Sequence, residues 1–166
     1  MTGPLAPHLP SFAITDWGVQ TALTAIPEAA ADRRLDPTTN PARTIALHLL
    51  VSRHGLCGLL GAPQPPLPWP DLGHGTEGGF VAGGPRPKLA EVLAAWRKLL
   101  PNFTAAVRNA TTATLAAPSP MPIPGAPDAT LAEFVPLNVV HESYHLGQLG
   151  MIAKVVTGRG ILTPPK

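Results

Sequence analysis

The chain has 166 residues, of which 45% are hydrophobic and 13% charged, with a formal net charge of +2. That is enough chain for one domain with a buried core, carrying about half the usual charged share of roughly 25%. Its Lys and Arg residues are scattered and aromatics make up only 5%, so the stripe of basic and aromatic residues expected of a nucleic-acid binder is missing.

The single cysteine, Cys57, excludes an internal disulfide framework. With Leu56, Leu59 and Leu60 around it, it reads as a buried thiol. The 22 prolines and 16 glycines cluster between apolar segments, a pattern of long loops around helices rather than of disorder. The N-terminal stretch lacks the charged and apolar regions of a signal peptide. No apolar run approaches the roughly 18 residues of a membrane span. The expectation is a cytoplasmic domain covering residues 1–166, bound neither to membrane nor to nucleic acid, with residues 1–11 as an extended leader.

The first periodic segment runs from Phe12 to Ala31, where Phe12, Val19, Leu23, Ile26 and Ala30 share a helix face. Pro27 should end or kink it. A second helix starts at Asn40-Pro41, cap residue followed by a first-turn proline, and continues to Gly61, a suitable residue just past a C-terminus. Residues 62–86 form a Pro/Gly-rich connection that Trp69 and Phe80 could pin to the body. The third helix spans about Pro87 to Thr112, with Pro101 kinking or dividing it. A second long loop covers residues 115–128. Asp128 or Thr130 then caps the last helix, Thr130 with Glu133 forming a capping box. This helix runs through a kink at Pro136 to Val156 and stops at Gly158. With no strand-like alternation, these elements predict an all-α, up-down four-helix bundle with long Pro/Gly-rich loops.

Chemistry concentrates in His141-Glu-Ser-Tyr-His145-Leu-Gly-Gln148. Histidines four apart project from one helix face and can grip one metal ion. They lie in a stripe of Phe134, Leu137/Asn138, His141, His145, Gln148, Ile152 and Val155, polar in the middle and apolar at both ends. The same letters spell His-Glu-x-x-His, the zincin protease motif with Glu as base. No Asp, Glu or His follows His145, and Met151 stands where an extended motif needs its third histidine. A third ligand must come from upstream, from His8, His48, His54 or His74. His8 and His74 lie in Pro- or Gly-rich segments and read as solvated. His48 and His54 are six apart, about 120° around a helix, so both cannot face the bundle centre. The apolar neighbours on its own face favour His48, with His54 as the alternative.

The last-helix motif His141-Glu-Ser-Tyr-His145-Leu-Gly-Gln148-Leu and the segment Arg43-Thr-Ile-Ala-Leu-His48-Leu resemble those of the DinB/YfiT-like four-helix bundles, a family unrelated to the DNA polymerase that shares the DinB name. The resemblance covers nearly the whole chain. It implies a divalent ion held by one histidine of the second helix and two of the last, which here are His48, His141 and His145. It also implies homodimers and transfer chemistry using a low-molecular-weight thiol such as bacillithiol or mycothiol.

Three neutral imidazoles leave coordination positions open, as in catalytic sites, and suit nickel or zinc. A thiol at an open position would ionise and could attack an electrophilic small molecule. Glu142 and Gln148 are candidates to stand behind the ligands. Glu142 would orient one or serve as base, with a solvated surface carboxylate as the competing reading, and Gln148 would donate to a bound ligand or cap the polar layer. No residue is assigned as catalytic. Two classes follow: a metal-dependent thiol S-transferase with loops 62–86 and 115–128 over its site, or a non-catalytic metal-binding or dimerisation module. A metal-dependent hydrolase is the remote third.

Overall fold

The computed structural model describes residues 3–69 and 86–161, so the expectations placed on His74 and Phe80 lie outside the described residues. The helices are α1 (Leu9–Ala25), α2 (Ala42–Leu59), α3 (Leu89–Asn109), the single turn α4 (Thr112–Leu115) and α5 (Leu131–Thr157). Among the described residues there is no strand, only two isolated bridges in the 118–130 loop. The all-helical bundle expected from the sequence is present.

The boundaries follow local chemistry, with three departures from expectation. α1 starts at Leu9, inside the segment read as an extended leader, and a 3-10 turn at Ala6–His8 precedes it. Pro10 falls in the first turn, where its missing N–H has no helical partner to lose. α1 ends at Ala25 rather than Ala31, because Ile26 and Pro27 take extended conformations before a second 3-10 turn at Glu28–Ala30. Pro41, not Asn40, is the capping position of α2. The other signals behave as read. Gly61 takes a left-handed φ of 76° after α2, and Gly158 one of 72° after α5. Thr130 and Glu133 close a capping box at the start of α5. Pro101 and Pro136 each remove one backbone bond, yet α3 and α5 continue through them.

α1 packs against α5 and α3, and α2 against α3 and α5, so the diagonals are α1 to α2 and α3 to α5. Contacts give the directions. Thr15 meets Glu142 and Gly18 faces Leu146, so α1 and α5 run parallel. Phe12 stacks on Phe103 while Gln20 bonds Arg97, so α1 and α3 are antiparallel. Arg43 reaches Pro87 and Asn102 reaches Pro63, so α2 and α3 run the same way. The chain therefore goes up, down, down, up, which corrects the alternating up-down order expected from the sequence while keeping the all-α bundle. Between α2 and α3 it must return the length of an 18-residue helix, about 27 Å at 1.5 Å per residue, which no tight turn can do. Trp69 packs against the core at the described end of that connection.

The α1–α5 seam is tight because Gly18 lets Leu146 in: a Cβ there would stand 2.5 Å from a Leu146 methyl. At the end where α2 and α3 begin, Arg43 is 5% exposed. It binds Glu28 and Asp32 and donates to the Pro87 carbonyl. Burial would raise the Glu28 carboxyl, but the Leu89 amide and Arg43 outweigh it and hold it below its usual range. Asp32 is lowered chiefly by its hydrogen bond to Arg43, against burial. Both depressed carboxylates add stability above their unfolded values that is lost as pH falls through their folded ones. Arg43→Met is expected to destabilise the protein by about 1.5–3 kcal/mol at pH 7, and the gap should shrink below about pH 4. Urea melts at pH 7 and pH 3 check this; a gap of equal size at both would sink the assignment.

Candidate metal centre

The buried face of α5 is built from Leu131, Phe134, Val135, Asn138, Glu142, Leu149, Ile152 and Ala153, spaced at helical intervals. It keeps Phe134, Asn138 and Ile152 of the stripe read in the sequence and adds Val135, Glu142 and Leu149. His141 and His145 sit at its edge, half-buried and turned toward α2, while Val155 is 56% exposed. On α2, His48 is half-buried within a run of buried residues and faces the same seam.

The three imidazoles meet there. Ring centroids are 5.0 Å apart for His48 and His141, 4.7 Å for His48 and His145, and 4.6 Å for His141 and His145. One ligand atom from each lies within 4.8 Å of the others. Among the described residues this is the one group of His, Cys, Asp or Glu so arranged. Imidazole nitrogens about 2.0–2.1 Å from one ion stand roughly 3–3.4 Å apart, so small side-chain rotations would close the group on a cation.

Nε2 of His48 and Nε2 of His141 share a hydrogen bond at 2.8 Å, so only one of them carries the proton. One observation distinguishes the group from a fully satisfied polar core. Nδ1 of His141 is buried without a hydrogen-bond partner, whereas a purely structural cluster normally satisfies its nitrogens. The residues therefore fit a shared cation. His145 has its tautomer set from behind: Nδ1 donates to Gln148 Oε1 at 2.7 Å, leaving Nε2 bare. Gln148 in turn donates to the exposed Tyr144 hydroxyl at 3.2 Å. Burial first, then His145 and His48, lowers His141 to about 4. Burial also lowers His145, opposed by its bond to Gln148. Both rings are neutral at pH 7, the form that ligates metal.

His54, the alternative ligand, is elsewhere: its Nε2 lies 2.9 Å from the Pro65 carbonyl oxygen. His8 caps the start of α1, outside the cluster. Cys57 is fully buried, and burial raises its thiol, in keeping with an inert side chain.

Glu142 corrects the sequence readings of it. It is neither at the surface nor behind a histidine; it is 1% exposed and points into the bundle. Arg53, 0% exposed, donates from Nε to Glu142 Oε1 at 2.8 Å and from NH2 to Oε2. Thr15 also donates to Oε2, and Arg53 NH1 pairs with Asp16. The guanidinium carbon sits 4.3 Å from the Trp96 ring centroid, 4.6 Å from Phe103 and 5.5 Å from Phe12. Sequence reading counted Arg53 among scattered basic residues. The available signal was its position on the second helix two to four residues after Leu49, Leu50 and Val51 and three before Leu56, where an unpaired buried charge is costly.

The fold is a four-helix bundle whose second and last helices bring three histidines to one half-buried point, a group with the geometry to hold a metal ion. The DinB superfamily profile matches residues 18–149, and the chain belongs to that superfamily. No curated protein and no solved structure matches it significantly. Among the described residues, no helix is long and apolar enough to cross a membrane.

Proposed function

We propose that His48, His141 and His145 hold one divalent ion, nickel or zinc, in an open site that serves transfer of a low-molecular-weight thiol to a small electrophile. The observation carrying this reading is the convergence of three imidazole ligand atoms within 4.8 Å at a half-buried seam, in a chain of the DinB superfamily. Three protein ligands leave positions free for exogenous molecules. The ion would supply Lewis acidity, favouring the ionised form of a bound thiol. The chain's own part is to present neutral nitrogens, with Gln148 holding the His145 ring in orientation.

Glu142 argues against a hydrolase of the His-Glu-x-x-His kind. Both its oxygens accept bonds from Arg53 and Thr15 inside the core, so it is not placed to activate a water. The homodimer belongs to the same proposal. It is supported by the exposed apolar side chains Val140, Tyr144, Met151 and Val155 on α5 and Ile14 on α1. That apolar face is also what favours the non-catalytic dimerisation module as a second reading.

Untagged protein is expected to carry about one equivalent of nickel or zinc and, once loaded, to consume bacillithiol or mycothiol with an electrophilic acceptor. Metal-loaded protein that stays at background across several thiols and acceptors would leave the module reading in place of the enzyme. Sedimentation of the same preparation as a monomer would remove the dimer.

A further inference from the structure

Arg53 joins all four long helices at one buried point. It leaves α2 five residues after His48, pairs with Glu142 of α5 and Asp16 of α1, and lies between the rings of Trp96 and Phe103 of α3 and Phe12 of α1. Glu142 is the neighbour of His141, about 100° around the same helix. Turning or sliding α5 enough to part Glu142 from Arg53 would therefore carry His141 and His145 away from His48. Apolar packing alone tolerates small slides between helices, whereas a buried fork of directed bonds has one register.

We infer that Arg53 is a positioning residue: through Glu142 it fixes the rotation and register of α5 against α2 and so brings His141 and His145 to His48. This rests on the metal-site reading only for its purpose, since the juxtaposition of the three rings is a property of the metal-free chain.

The test replaces both partners, Arg53→Met with Glu142→Leu, so that no charge is left buried alone between them. Its main readout is the set of nuclear Overhauser contacts between the His48 and His141 ring protons in metal-free protein. The second is the Ni2+ dissociation constant. The double variant is expected to melt cooperatively with wild-type helix content, to lose or weaken the ring contacts, and to bind Ni2+ about tenfold more weakly. Unchanged ring contacts in the folded double variant would overturn the inference. Should that variant not fold, Arg53→Lys decides by the same contacts: a point charge cannot reproduce the fork, so weakened contacts support the inference and unchanged ones overturn it. Wild-type protein that binds neither Ni2+ nor Zn2+ defeats only the proposed function, because the ring contacts still decide the role of Arg53.

Discussion

His145→Ala is expected to lower the affinity for Ni2+ or Zn2+ by about 100-fold or more, the loss of roughly 3 kcal/mol of ligation, while leaving the helices intact. The ring is half-buried at a seam rather than in the core, so its removal opens little cavity. Gln148→Ala keeps all three ligands but frees the ring that Gln148 orients through Nδ1; a loss of about tenfold is expected. His54→Ala, whose ring bonds the Pro65 carbonyl, should bind as wild type does. Isothermal titration of the three variants orders them, and a His145→Ala protein that binds like wild type would sink the site. A stability measurement on metal-free protein tests the same ring cluster. His141 is held near 4 by burial and by its two histidine neighbours, against about 6.5 in an unfolded chain. The unfolded state therefore takes up protons in a range where the folded state does not. The contribution of His141 is full above about pH 6.5 and is lost as pH falls toward 4. His141→Gln should flatten the loss of stability across that window, and urea melts at pH 7 and 4.5 would show it.

What the sequence made legible was whatever chemistry is local. The capping box of Thr130 and Glu133 and the glycines at 61 and 158 are signals within one turn of the boundaries they set. His141 and His145 are paired by helix geometry alone, and only helix phase separated His48 from His54. Pro10 lies in a first turn, inside the segment read as an extended leader, whereas Pro27 stands just past the end of α1 that it was read to set. Helix directions left only an indirect trace, the length of the 60–88 connection. The Arg53 network left less. Its bonds span 89 residues to Glu142 and 38 to Thr15, and no periodicity joins such positions. Reading Glu142 from its neighbour His141 placed it with the metal; 100° of helix rotation places it in the core instead.

That core position makes Arg53→Ala the most destabilising single change expected in the chain. It would strand the Glu142 carboxylate, 1% exposed, next to Asp16, and would empty the space between Trp96 and Phe103. Removing one partner of a buried pair costs about 3–5 kcal/mol. For a chain of this size that is a fall in Tm of roughly 10–15 °C. Glu142→Ala leaves the opposite charge with Asp16 still beside it, so its loss should be smaller than that of Arg53→Ala. The paired replacement, Arg53→Met with Glu142→Leu, fills the same volume with apolar atoms and leaves only the partly exposed Asp16 without its partner, so it should cost clearly less than Arg53→Ala. Thermal melts of the three proteins separate two roles for the same side chain. If the double variant is as stable as wild type but its histidine rings have moved apart, the ion pair specifies register without adding net stability. If Arg53→Ala costs less than about 1 kcal/mol, water reaches Glu142 and Asp16 in solution, and the dry, four-helix junction described here is wrong.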